Sequence, residues 1–94
     1  METLDTTKTF QRVASVMAVE VEDSVIIFEP ESMEYMRLRG VACRIWNLLE
    51  SPASIDQLTA VLCQEHEVEN EVCMASVTRF LAELREVKLV TTQA

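Results

Sequence analysis

The chain has 94 residues, of which 49% are apolar, with one glycine, two prolines and a formal net charge of −8. This length allows one domain with a modest core and excludes a two-domain enzyme, and the composition excludes a linker or a disordered tail. The acidic excess disfavours nucleic acid and anionic lipid surfaces as partners, because both bind proteins through cationic side chains.

No segment of the sequence predicts secretion or membrane insertion. The start, METLDTTKTFQRV, lacks the basic and apolar regions of a signal peptide. Arg44 and Asn47 interrupt the most apolar run before it reaches the roughly 18 residues that a membrane span requires. Three cysteines without paired spacing are typical of a reducing compartment. We therefore expect a cytoplasmic protein that does not bind membranes.

Three β-strands are predicted in the first half of the chain. Met17, Val19 and Val21 alternate with small or acidic residues, which is the pattern of a half-buried strand. The β-branched run at 25–29 predicts a second strand, and the alternating run at 33–38 predicts a third. The connecting sequences, EDS and PES, are short and favour turns. Short connections of this kind indicate an antiparallel meander.

Three helices are predicted after Gly40. Apolar residues recur at helical spacing over 41–50. Ser54 and Gln57 have the spacing of a capping box, which opens a second helix. Asn70 is the predicted N-cap of a third helix, whose first and last turns carry acidic and basic residues respectively, as the helix dipole favours. The apolar positions of this third helix are Cys73, Val77, Phe80, Leu81 and Leu84.

The order of these elements predicts the fold class. Strands followed by helices indicate an α+β domain, here a three-stranded antiparallel sheet followed by three helices. That combination is similar in shape to a winged helix-turn-helix, although topology alone assigns no function. We expect a single domain over residues 13–92, preceded by a flexible, threonine-rich N-terminal arm over residues 1–12.

Binding to nucleic acid is the first function that the fold class raises. The helix that would enter a groove lies within residues 69–88, where four glutamates outnumber three cations. A recognition helix instead carries a cluster of cations and amides. Arg37 and Arg39 are the only cations of the third strand, and glutamates precede them. Winged-helix nucleic-acid binding is therefore kept only as the less favoured alternative.

The sequence contains no constellation that predicts catalysis or metal binding. Cys63 and His66 have the spacing of a chelating turn, and Cys73 could be a third ligand. A structural zinc site, however, needs a fourth ligand. Cys73 also falls on the apolar face of the third helix. A lone histidine among glutamates forms no catalytic triad, and one glycine cannot form a phosphate-binding loop. We expect no enzymatic activity, no cofactor and no metal.

A peptide-binding edge is the remaining possibility. An exposed edge strand is a template for another extended chain. If the third strand is an edge near the third helix, a peptide would pair with the strand while its side chains pack on the helix. The alternative is an edge that binds nothing, protected by the charges of Glu34 and Arg37.

Four stretches of the sequence, in their order and spacing, resemble the PqqD-like family, the RiPP recognition elements, over about residues 17–90. These proteins bind the leader segment of ribosomally synthesised precursor peptides. The matching positions are Tyr35 and Leu38; Ile45, Trp46, Leu48 and Leu49; Ser54 and Leu58; and Val77, Phe80, Leu81, Leu84 and Leu89. Arg39 stands where the family often has asparagine. Lys88 stands where it usually has glycine, and Met33 and Glu34 where a glycine is common.

The resemblance implies a function and a set of partners. A leader peptide would add as a strand beside the third strand, over the third helix, and the protein would present it to an enzyme without performing chemistry itself. The chain looks most like the stand-alone leader-binding subunit of lasso-peptide biosynthesis, whose partners are a leader peptidase and a cyclase. The second possibility is the peptide chaperone of the pyrroloquinoline quinone pathway, whose partner is a radical SAM enzyme.

The same resemblance, placed on the predicted strand and helix, selects nine residues for the peptide-binding groove. The strand contributes mainly backbone groups and the helix contributes side chains, with Arg37 or Arg79 available to pair with acidic leader residues. No catalytic or metal-binding residue is predicted. The expected peptide-binding residues are Glu34, Tyr35, Met36, Arg37, Cys73, Met74, Ser76, Val77 and Phe80.

Overall fold

The computed structural model describes residues 7–92 as six strands and three helices. The strands form two antiparallel sheets, in the orders β2–β3–β4 and β5–β1–β6. The predicted α+β class is confirmed, whereas the second sheet makes the winged-helix description a loose one. In chain order the elements are β1 (Thr9–Arg12), β2 (Met17–Val21), β3 (Ser24–Glu29), β4 (Glu34–Arg39), α1 (Gly40–Leu48), β5 (Ala53–Ser54), α2 (Ile55–His66), α3 (Asn70–Glu86) and β6 (Val90–Thr92).

The predicted meander is the sheet formed by β2, β3 and β4, and polar side chains fix both of its turns. At the first turn, the Ser24 hydroxyl donates to the carbonyl oxygen of Val21 over 2.8 Å. At the second turn, the buried carboxylate of Glu29 accepts hydrogen bonds from the backbone N–H groups of Glu31 and Ser32. Because each turn is fixed by local bonds, the register of the three strands follows from the sequence of the turns.

The expectation of a flexible arm over residues 1–12 is wrong for Thr9–Arg12. These residues form β1, the central strand of the second sheet, and Phe10 is fully buried in the core. The partners of β1 are β5 and β6, which lie far along the chain, so no local pattern marks this strand. Residues 1–6 of the expected arm lie outside the described residues.

The expectation that the first predicted strand is half-buried is also wrong. All five residues of β2 are exposed, and Met17 and Val19 are each 61% exposed. The helices cover only the other two strands of the meander, where Val25, Ile27 and Leu38 are buried. An alternating apolar pattern identifies a strand, but it does not establish that another element covers the apolar face.

The predicted helix signals hold for α1 and α2. Ile45 and Trp46 of α1 are buried in the core. The capping box is confirmed, because the Ser54 hydroxyl accepts from the backbone N–H of Gln57 and the Gln57 side chain accepts from the backbone N–H of Ser54. Within residues 7–92, no helix is long and apolar enough to cross a membrane.

The start of α3 differs from the expected one by a residue. Glu69 is the N-cap and makes no side-chain capping bond, while Asn70, the expected cap, is the first residue of the helix. The Oδ1 atom of Asn70 instead accepts a weak bond from the Cys63 thiol, 3.6 Å away on α2. The Asn70 side chain, which could have capped its own helix, therefore bonds to the neighbouring helix instead.

Candidate peptide-binding groove

The last strand of the meander, β4, has one unpaired edge among the described residues. Consecutive residues of an antiparallel strand point their backbone groups to opposite sides, and the two-residue loop between β2 and β3 sets the phase of that alternation. On this basis we expect the N–H and C=O groups of Tyr35 and Arg37 to point to the open edge. Those of Met36 and Leu38 then pair with β3.

Two cavities relate this open edge to helix α3. The backbones of β4 and α3 stay apart along most of their length. At one end, α1 follows directly from β4 and shares a cleft with the first half of α3. At the other end, the start of β4 and the residues after α3 share a small depression. We call these two cavities, together with the space between them, the β4–α3 groove.

The larger cavity of the groove is an apolar cleft of about 420 Å³. Apart from the Cys73 thiol, the polar side chains that line it are those of Ser76 and His66. Burial raises the pKa of the Cys73 thiol, with a further contribution from the neighbouring Cys63, so Cys73 stays protonated at neutral pH. An apolar cleft of this size suits a large apolar side chain. Its lining residues are Val41, Ala42, Ile45, Leu62, His66, Val68, Val72, Cys73, Ser76, Val77 and Phe80.

The depression at the other end of the groove is much smaller, about 20 Å³. It is lined by the first three residues of β4 and by Val87 and Leu89, which follow α3. Between those two residues, Lys88 adopts a left-handed conformation with φ of 65°. This is the position where the resemblance led us to expect a glycine, and its left-handed backbone explains that preference.

The structure brings most of the nine expected residues to these two cavities. Four of the expected residues lie on α3 and line the cleft, namely Cys73, Ser76, Val77 and Phe80. Glu34, Tyr35 and Met36 line the depression. Lining a cavity places a residue without testing its contact with a peptide, so the assignment of these residues stays a prediction.

The two remaining residues lie elsewhere. The Nε atom of Arg37 donates to the Ser24 hydroxyl over 3.1 Å, which directs this side chain across the sheet and away from α3. Only the backbone of Arg37 therefore lies on the groove side of β4. Met74 packs against the core and is not among the lining residues of the cleft.

Sequence reasoning missed the part of the cleft that α1 and α2 contribute. The missed lining residue on α3, Val72, had a usable signal, because it recurs with Ser76 and Phe80 every four residues and so shares one face of the helix with them. The contributions from α1 and α2 had none, since they depend on how three helices pack. The missed residues are Val41, Ala42, Ile45, Leu62, His66, Val68 and Val72.

One ion pair connects α1 and α2 beside the cleft. The Arg44 guanidinium donates to both carboxylate oxygens of Glu65, with Nη2 at 2.6 Å from Oε2. These hydrogen bonds lower the pKa of Glu65 and raise that of Arg44. Both side chains are exposed to solvent, so the pair contributes little to stability. Over residues 7–92, the histidine, cysteine and carboxylate side chains form no group of three or more that could hold a metal ion.

Comparisons with known proteins agree with this geometry. A family model described as coenzyme PQQ synthesis protein D (PqqD) matches residues 24–90, which include β3, β4 and all three helices. The chain belongs to the PqqD family. Among proteins with curated descriptions, none matches the sequence significantly.

A solved structure has the same fold as this PqqD-family chain. It is described as TbiB1 in complex with the TbiA(beta) leader peptide, and it superposes with a TM-score of 0.83. The superposition covers 89% of this chain and 98% of that one, at 24% sequence identity.

Proposed function

We propose that this protein binds the leader segment of a ribosomally synthesised precursor peptide and presents that peptide to a processing enzyme. The leader adds as a fourth strand beside β4 and packs its inward side chains against α3. The protein performs no chemistry itself and acts in the cytoplasm. Its partners, by this proposal, are a leader peptidase and a macrocycle-forming cyclase of the lasso-peptide type.

The observation that carries the proposal is the open edge of β4, together with the two cavities that adjoin β4, α1 and α3. Strand addition needs unpaired backbone groups on one side, and selectivity needs pockets for alternate side chains. The expected open-edge groups at Tyr35 and Arg37 meet the first requirement, and the apolar cleft meets the second. A protein of the same fold has been solved with a leader peptide bound, which supports this use of the fold.

The acidic surface supports a peptide over nucleic acid as the ligand. The chain carries a net charge of −8, and α3 itself has three glutamates against two arginines. A helix of that charge beside an open sheet edge does not attract a phosphate backbone. A leader peptide requires no such charge, because its main affinity comes from backbone pairing and apolar contacts.

The proposal is tested by fluorescence polarisation with the leader segment of a precursor peptide encoded beside this gene. A duplex DNA of similar size serves as the control ligand. We expect saturable leader binding that varies little between about 50 and 200 mM salt, and no binding of the duplex. Absence of leader binding, or binding of the duplex with a steep salt dependence, would contradict the proposal.

The PqqD family match favours a second candidate within the same class of function. In that case the presented peptide goes to a radical SAM enzyme of a PQQ-type pathway. The two candidates differ only in the enzyme. Pull-down of each neighbouring gene product with the leader-bound protein distinguishes them, because only the true partner binds the complex more tightly than it binds the free leader.

A further inference from the structure

The strand β2 stands out among the open sheet edges of the described residues. Natural edge strands are protected by brevity, by charges, by proline or by a covering element. In the second sheet the edges β5 and β6 are two and three residues long. In the meander, β4 carries three charged residues. The five residues of β2, MAVEV, are all exposed and include one charge and no proline.

Two copies of β2 are complementary to each other in an antiparallel pair centred on Val19. In that register Val19 faces Val19 of the second copy, and Met17 faces Val21. Ala18 then faces Glu20, so no two carboxylates lie directly opposite each other. Apolar residues meet apolar residues on one face of the sheet, and the other face carries two alanines and two exposed glutamates.

The backbone of β2 is suited to the same register. The two-residue loop after Val21 makes us expect that Met17, Val19 and Val21 pair with β3 through their backbone groups. The N–H and C=O groups of Ala18 and Glu20 then point to the open edge. Since Ala18 and Glu20 face each other in the pair, two copies exchange bonds at both ends of the register.

We infer that this protein forms a two-fold symmetric dimer in which the β2 strands of two copies pair into one six-stranded sheet. A bound leader does not suit this edge, because all five residues of β2 are exposed and no helix lies over them. The β4 edges lie at the two ends of the joined sheet and stay open. The dimer therefore offers two separate leader sites, one for each copy.

The expected dimer is weak, because two five-residue strands bury less surface than a standard stable interface. The measurement is sedimentation equilibrium of the full chain over about 10 µM to 1 mM, a range that covers micromolar to millimolar dissociation constants. We expect the average mass to rise from one chain to two. A monomer throughout the range, or a mass that continues beyond two chains, overturns the inference.

Two variants test the register against a charge-matched control. Val19→Lys is expected to weaken the dimer about tenfold, because an apolar cross-strand pair is lost and a pair of like charges takes its place. Glu20→Ala removes the two Glu20 carboxylates, which lie diagonally across the interface on the same face of the joined sheet. This change is expected to strengthen the dimer about threefold. Gln64→Lys, at an exposed position of α2, changes the net charge by the same amount and is expected to have neither effect.

A further variant distinguishes the two edges of the meander. Arg37→Pro blocks the β4 edge and is expected to leave the dimer intact, so a loss of dimer in this variant means that the copies pair through β4 and overturns the inference. Thermal melts of each variant show that it is folded. Because Val19 is 61% exposed, its replacement by lysine is compatible with the fold. None of these outcomes depends on whether a leader peptide binds.

Discussion

The two edges of the meander differ in what stands beside them. The β4 edge lies between a small depression that it shares with the residues after α3 and an apolar cleft formed by the three helices, and its strand carries Glu34, Arg37 and Arg39. The β2 edge faces no helix, and its five residues are exposed on both faces of the sheet. The β4 edge therefore combines three charged residues with adjacent cavities, whereas the β2 edge has mostly apolar side chains and no helix beside it.

By the proposed function, this difference means that an open strand edge becomes a selective peptide site only through the elements packed beside it. Backbone groups pair with any extended chain, so the edge supplies affinity without selectivity. At β4, the cleft lined by residues of α3 adds a requirement for particular side chains. At β2, the only selection available is complementarity to an extended strand, which an identical strand provides.

The largest expected effect is on the α3 wall of the groove. Phe80→Ala removes a half-buried ring from the cleft and is expected to weaken leader binding by about 2 kcal/mol, or about thirtyfold. Fluorescence polarisation measures the affinity, and a urea melt measures the accompanying loss of stability. An unchanged leader affinity in a folded variant would mean that the cleft is not part of the site.

The edge of β4 is tested by a pair of substitutions at one position. Arg37→Pro removes a backbone donor that we expect at the open edge, and it is expected to weaken leader binding by about 1–2 kcal/mol. Arg37→Ala keeps the donor and is expected to bind nearly as tightly as the original. Equal losses in both variants would assign the effect to the side chain and contradict strand addition.

A third prediction concerns stability at the two ends of β4. Lys88 has φ of 65° next to the depression, and Lys88→Gly is expected to stabilise the fold by about 1 kcal/mol, raising the Tm by about 4–8 °C. Gly40 has φ of 58° and open space around its Cβ position, so Gly40→Ala is expected to destabilise by a similar amount through backbone strain alone. Calorimetry checks both signs. Two shifts in the same direction would contradict this account.

The smallest effects are expected outside the groove. Arg79→Ala removes an exposed charge of α3 and is expected to change leader affinity by less than about 0.5 kcal/mol. Val19→Lys, on the β2 edge, is expected to leave leader affinity within about twofold of the original. If either variant lost as much affinity as Phe80→Ala, the leader would not occupy the β4–α3 groove.

Much of the fold was predictable because its signals are local. The turns of the meander, the capping box at Ser54 and the apolar spacing of the helices each depend on residues close in sequence. The second sheet was not predictable, because β1 is four residues long and pairs only with distant strands. The exposure of β2 was missed for a related reason, since a strand pattern does not reveal whether another element covers it.

The candidate site also has parts that the sequence predicts and parts that it does not. The strand and the α3 stripe of Ser76, Val77 and Phe80 follow from alternation and helical spacing, once the resemblance has selected them. The side-chain direction of Arg37 does not follow, because its bond to Ser24 depends on the pairing of β3 with β4. The wall formed by α1 and α2 depends on tertiary packing and had no sequence signal.

The second sheet pairs β1 with β6, the first and last strands of the described residues. Phe10 is paired with Ala53 on one side and with Thr92 on the other. During synthesis, β1 leaves the ribosome before either of its partner strands, β5 and β6, has been made. This sheet can therefore form completely only after β6 has left the ribosome, and deletion of either β1 or β6 would remove strand pairing from the same sheet.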